Sequence, residues 1–221
     1  MAIRWLGLES NPDVMTKYIH SLGASKEWSL VDVFGLDNEL LAFIPQPIAA
    51  LLLLFPLNSG APASGGGTEV EASESKVFFM KQTIQNACGT IGLLHALANS
   101  KVPVVEGSPL DVFLKAGKDK SPEGKAKLLE DNSDIKEIHE NFAHQGQTAT
   151  PNIDDKLDLH FVAIVLADGY VYELDGRKSG PIQHGLSSEA TFLKDAADVC
   201  KKYITSTPDV LNFSVAALVK Q

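Results

Sequence analysis

Apolar positions change period along this chain, and each change marks an element. Val14, Tyr18, Ile19 and Leu22 recur at helical spacing; Asn11 caps the run, Pro12 stands in its first turn, Asp13 near the positive end of the helix dipole, and Gly23 closes it. Trp28 to Val33 alternates like a half-buried strand, and Asn38 to Phe43 fits a short helical turn stopped before Pro45. Ile48 to Phe55 is apolar throughout, as in a strand covered on both faces; the run to Leu57 is about half a membrane span and is cut by Pro56, so no membrane segment is expected. Val77 to Met80 reads as a strand leading into a helix that starts at Cys88 and repeats apolar residues at Ile91, Leu94 and Leu97. Ser108-Pro109 and Ser121-Pro122-Glu123 each cap a short helix, and Ser133 to His144 is helical with Ile135, Ile138 and Phe142 on one face. Leu159 to Leu166 is a buried strand that turns at Ala167-Asp168-Gly169 and returns antiparallel over Tyr170 to Leu174. A last helix from about Ser188 to Ile204 and a strand from Asn212 to Val219 complete the chain.

Two stretches have no core face. Residues 59–76 combine Gly65-Gly66-Gly67 with small and acidic neighbours and should form a mobile loop; the Lys and Ser/Thr of a phosphate loop do not follow, which argues against nucleotide binding. Gln145 to Asn152 is polar and reads as a second loop. Elements neither repeat nor alternate strictly, so the fold class is α+β, a mostly antiparallel central sheet flanked by helices in a single domain over residues 1–221. The net charge of −9 disfavours nucleic acid, whose binding depends on Lys and Arg, and fits a basic partner. Two Cys make no disulfide framework, and Met1-Ala2-Ile3-Arg4 shows no secretory signal, so the reducing cytosol is the expected compartment.

Cys88 is placed where a thiol is activated. Helix-start N–H groups without an intrahelical partner and the positive dipole end both favour the thiolate. A thiol nucleophile also needs a base, and the base an acceptor that fixes its tautomer. Of six His, His95 lies seven residues along the same helix, about 10 Å away. His139 and His144 flank the polar loop, and their spacing is one residue too long for a zinc-peptidase pair. His20 is at a helix end and His184 is expected in a turn. His160 begins the strand whose hairpin partner ends at Asp175, and the turn near Asp168 lies almost midway between them. The two are thus expected at one end of paired strands, within cross-strand reach of about 5.5 Å.

The segment Gln82-Thr83-Ile84-Gln85-Asn86-Ala87-Cys88-Gly89-Thr90-Ile91-Gly92 resembles the nucleophile motif of the ubiquitin carboxyl-terminal hydrolases, a family of papain-like cysteine peptidases. Leu157 to Phe161 and Tyr172 to Lys178 resemble its His and Asp motifs in the same order, and the likeness runs from Trp5-Leu6 through Leu51 to Pro56 to the end, closest to short members. It implies a knotted papain-like fold with Cys88 as nucleophile, His160 as general base then acid and Asp175 as its orienter. Gln82 would donate to the oxyanion together with the Cys88 N–H. The resemblance further implies a crossover loop within residues 143–152, here Ala143-His144-Gln145-Gly146-Gln147-Thr148-Ala149-Thr150, which admits only small or flexible leaving groups. Contacts to ubiquitin are implied for Gly7-Leu8-Glu9-Ser10-Asn11-Pro12 and for Val210-Leu211-Asn212-Phe213-Ser214-Val215; Gly7 departs from the Pro of close relatives. The expectation is a monomeric thiol hydrolase without cofactor or metal. It would cleave small adducts or short peptides after the C-terminal glycine of ubiquitin, or of a ubiquitin-like protein, through an acyl-enzyme. A ubiquitin-sequestering protein with negligible turnover and an unrelated small-molecule amidase are the alternatives.

Overall fold

A strand that is apolar on both faces needs a strand on each side and a layer above and below. β2 (Ile48–Pro56) has all four: it runs antiparallel to β7 (Ser214–Lys220) on one side and β4 (Leu159–Ala167) on the other. In this computed structural model, which describes residues 3–57, 64–73, 75–145, 158–206 and 212–221, the sheet continues outward through β1 (Trp28–Asp32) beyond β7. On the other side β5 (Tyr170–Leu174), β6 (Ile182–Leu186) and β3 (Thr68–Glu69) extend it, giving the order β1-β7-β2-β4-β5-β6-β3 with every pairing antiparallel. Alternation along β2 and β4 divides the core. Leu52, Ala163 and Val165 face the layer containing α1 (Pro12–Leu22) and α3 (Cys88–Ala98); Leu51, Leu53, Val162 and Ile164 face α7 (Phe192–Thr205). Each fully buried Leu contributes about 2 kcal/mol of transfer free energy, so a one-residue slip of β2 would exchange two filled faces at once. The short α2 (Asn38–Leu41) leads into β2. α4 (Pro109–Gly117), α5 (Pro122–Glu130) and α6 (Ser133–Ala143) complete the helices among the described residues.

Where local chemistry dictates an end, the elements lie as read. Asn11 Oδ1 accepts from the N–H groups of Asp13 and Val14, and Gly23 closes α1 at φ 112°; Ser108 and Ser121 cap α4 and α5. Four expectations need correction. Val77 to Met80 is not a strand, because its polar backbone is taken by side chains on α3 and at its C-cap: Asn99 Oδ1 accepts from Phe78 N, Asn99 Nδ2 donates to Phe78 O, and His95 Nε2 accepts from Met80 N. The last helix starts at Phe192, since Ser188 O accepts from both Thr191 N and Phe192 N in a preceding turn. Within the loop expected at 59–76, of which 59–63 and 74 lie outside the described residues, Thr68 and Glu69 form the edge strand β3. His184 lies in β6 and not in a turn.

Candidate active site

α3 is buried nearly all round and carries the nucleophile candidate at its first residue. Gly89 lets it lie that deep: a Cβ there would come within 3.0 Å of the Leu8 side chain. Ala87, at the cap position, makes no side-chain cap bond, and Asn86 turns the chain into the helix at φ 65°. The first N–H groups of α3 therefore keep their donors for something other than the helix itself. Cys88 is only 9% exposed, and its thiol lies near enough to the His160 ring to help raise that ring's pKa.

His160 is the second residue of β4, with its ring walled by Phe55 edge to face at 5.8 Å. Its Nε2–H donates to Asp175 Oδ1 at 2.7 Å, with both side chains nearly fully buried. Nδ1 is then the ring nitrogen left for the thiol. The contact is a diagonal one. Ala163 pairs with Leu174, so Asp175, one residue beyond the ladder, comes level with Val162 and reaches back toward His160. Arg177 completes the carboxylate's shell: its backbone N donates to Oδ1 at 2.9 Å, and its guanidinium to Oδ2 at 3.3 and 3.4 Å. Burial alone would raise the Asp175 pKa, but the His160 hydrogen bond and charge and the Arg177 contacts hold it down at about 2. Burial likewise pulls the His160 pKa down, yet the influence of Asp175 and Cys88 outweighs it and leaves the imidazole above its usual value. The site thus favours the protonated form of the ring that faces Cys88.

Gln82 enters beside the Asp175 turn, where its backbone N–H donates to Gly176 O at 2.8 Å. One side-chain N–H goes to Ile84 O at 3.2 Å, which fixes the amide and leaves its second hydrogen for a ligand, while Oε1 is buried without a partner among the described residues. The other predicted residues divide. Leu8 and Val215 point into the core. Glu9, Ser10, Asn11 and Pro12 line a groove with Phe34, Leu40 and Phe43; Phe213 and Ser214 line a second groove, and Phe34 belongs to both. The hydroxyls of Ser10 and Ser214 meet at 2.9 Å, so the two segments form one continuous surface. Ala143 is the last residue of α6, His144 and Gln145 follow it exposed, and Gly146, Gln147, Thr148, Ala149, Thr150, Val210 and Leu211 lie outside the described residues.

The remaining buried histidines do other work. His95 stacks on Phe79 and its pKa is pushed by burial to about 4. His184 Nε2–H and Gly65 N–H donate to Glu173 Oε2, and Tyr203 O–H to Oε1, so His184 braces a buried carboxylate on β5. Arg177 and Phe55 were legible as members of the quoted blocks but carried no signal of their own contacts. Among the described residues no group of three His, Cys, Asp or Glu gathers as a metal site, and no helix is long and apolar enough to cross a membrane.

The two cysteines differ sharply. Cys200 is fully buried in α7, and burial and the nearby Glu173 charge push its thiol pKa well up. Treatment of the folded protein with iodoacetamide should therefore alkylate Cys88 and spare Cys200, as read by peptide mass mapping; equal labelling would remove the distinction.

Comparison with known proteins gives the chain its relatives. Residues 5–205 match the family described as ubiquitin carboxyl-terminal hydrolase, family 1. Ubiquitin carboxyl-terminal hydrolase 3 of Arabidopsis thaliana is 46% identical over 225 residues, covering 99% of this chain and 95% of its own. The human ubiquitin carboxyl-terminal hydrolase isozyme L1 is 43% identical over 219 residues, 96% of this chain and 97% of its own. The crystal structure of Trichinella spiralis UCH37 bound to ubiquitin vinyl methyl ester shares the fold, with a TM-score of 0.77 at 24% identity over 98% of this chain and 82% of that one.

Proposed function

Because the chain belongs to ubiquitin carboxyl-terminal hydrolase family 1, we propose that it is a cysteine-type deubiquitinating hydrolase whose chemistry runs through Cys88, His160 and Asp175. The observation that carries this reading is the buried line from the thiol at the start of α3, through the His160 ring, to the Asp175 carboxylate. The Cys88 sulfur attacks the carbonyl carbon of the last ubiquitin glycine. The oxyanion takes hydrogen bonds from the Cys88 N–H and the free Gln82 amide hydrogen. Collapse breaks the bond to the leaving amine, which takes its proton from His160 Nδ1 and departs, leaving a thioester. Water then attacks that thioester while Nδ1 accepts its proton, and the product carboxylate is released as the thiol re-forms. Asp175 holds the ring in the tautomer both halves require.

A protein-sized substrate is favoured over a small molecule by the surface beside the site. Phe34 is 90% exposed and Phe43 82%, and with Leu40 they line one groove, an apolar patch of the kind that marks a protein-binding surface. We take ubiquitin as that partner, with a ubiquitin-like protein as the competitor. The enzyme acts as a cytosolic monomer, residues 1–221 form one catalytic domain, and residues 143–152 limit the leaving group to small adducts and short peptides. The test is hydrolysis of a ubiquitin C-terminal fluorogenic amide by the wild type and by Cys88→Ala. The wild type should turn over, and the variant should bind ubiquitin without turnover. A wild type that binds and does not turn over supports sequestration; substantial turnover by Cys88→Ala removes Cys88 from its role.

A further inference from the structure

Behind the site a second line of buried polar groups joins three separate pieces of chain. His139 of α6 contacts the Leu6 carbonyl through Nε2 at 2.8 Å and the Thr90 hydroxyl of α3 through Nδ1 at 2.8 Å. Thr90 in turn meets the Tyr18 hydroxyl of α1 at 2.9 Å. The Trp5 ring packs against the His139 ring at 4.6 Å, and Trp5 N–H donates to Gln85 O, two residues before the cap of α3. His139, Thr90 and Tyr18 have no solvent exposure.

Donor directions follow from the chemistry of each group. A backbone carbonyl can only accept, so Nε2 of His139 carries the proton. Burial holds the ring neutral, with a pKa of about 4, and in a neutral imidazole the other nitrogen accepts. Thr90 O–H must then donate to Nδ1, and Tyr18 O–H must donate to Thr90 Oγ1. Each group has one satisfied arrangement, which is the condition under which a buried network rigidifies what it connects. What it connects is the nucleophile helix, two residues beyond Cys88, and the N-terminal segment that continues through Leu8, packed on Gly89, to the groove-lining Glu9 to Pro12.

We propose that His139 is a positioning residue, which through Leu6 and Thr90 fixes the substrate-facing N-terminal segment in register with the helix that carries Cys88. The proposal rests on the reading above that Glu9 to Pro12 meet ubiquitin. Its signature is a loss in KM with the thiol chemistry kept, because the network touches the segment and not the sulfur.

His139→Phe keeps a ring against Trp5 and removes both hydrogen bonds. We expect KM for the ubiquitin C-terminal amide to rise about tenfold, the loss of roughly one buried hydrogen bond's stabilisation, with kcat and the rate of Cys88 alkylation by iodoacetamide within about twofold of wild type. His139→Gln, which can return an N–H to Leu6 O, should recover most of the loss. Amide hydrogen exchange at Trp5 should quicken in the Phe variant, a readout that needs no ubiquitin and so separates failure of this idea from failure of the ubiquitin reading. If His139→Phe does not fold, His139→Asn, too short to reach Leu6, carries the same expectation. Unchanged KM and unchanged Trp5 exchange would overturn the proposal. A fall in kcat matched by slower alkylation would do so too, since His139 would then act on the thiol.

Discussion

His160→Ala should lower turnover of a ubiquitin C-terminal amide by about 10⁴-fold or more, as far as Cys88→Ala does, because members of one catalytic unit fail together. The structure gives the physical reason. The His160 ring donates to Asp175 Oδ1, and its pKa stands above the usual value because the influence of Asp175 and Cys88 outweighs burial. Asp175→Asn should cost one to two orders of magnitude less, since an amide oxygen can still accept from Nε2–H and hold the ring. It removes the charge, however, and with it much of what keeps the imidazole protonated beside the sulfur. The Asn variant should therefore also show its rate profile displaced along the pH axis, which a loss of packing would not produce. Rates and ubiquitin affinity measured together decide the matter: a His160→Ala protein that binds ubiquitin and turns over within tenfold of wild type would mean the wrong base was chosen.

How much of this could be read from residues depends on the range of the forces involved. Helix ends set by a side chain two or three positions away were legible: Asn11, Ser108 and Ser121 cap where the pattern places them, and Gly23 closes α1 in the left-handed region. The central strands were legible because a run like Ile48 to Phe55 has no other place to go. Strand identity at the margins was not, since it depends on a partner. Val77 to Met80 has the composition of a strand, yet Asn99 and His95, both on or next to α3, take its backbone groups. β6 contains Gly185 and a half-exposed face, and its outer partner is only Thr68 and Glu69, so no periodicity announced it. The site shows the same division. The hairpin arithmetic brought His160 and Asp175 to one end of two strands, but the pair meets on the diagonal, and Arg177 supplies bonds that no spacing rule suggests. Glu173 is the extreme case, a buried carboxylate satisfied by Gly65, His184 and Tyr203, which sequence distance hides from any local reading.

Acid should destabilise the protein well before its carboxylates titrate. His95 and His139 are fully buried, and burial holds both near a pKa of about 4, against 6.5 for the free side chain. Between those values the unfolded chain takes up protons that the folded protein refuses, so stability is full above about pH 6.5 and falls as the pH drops toward about 4. Each ring contributes on the order of 3 kcal/mol across the window. Two such contributions are a large part of a typical total of roughly 5–15 kcal/mol. Burial explains the resistance: neither ring can be hydrated in the charged form, and the hydrogen bonds to backbone groups offset that only in part. His160 acts in the opposite sense, its raised pKa giving stability that is lost as the pH climbs past it. Asp175, held at about 2, loses its contribution only as the pH falls below the usual carboxylate range. Urea midpoints should therefore fall steadily from pH 6.5 to 4, and His139→Gln, which has no proton to refuse, should remove about half of that slope. A midpoint that stays level across this range would show that neither ring is kept neutral by the fold.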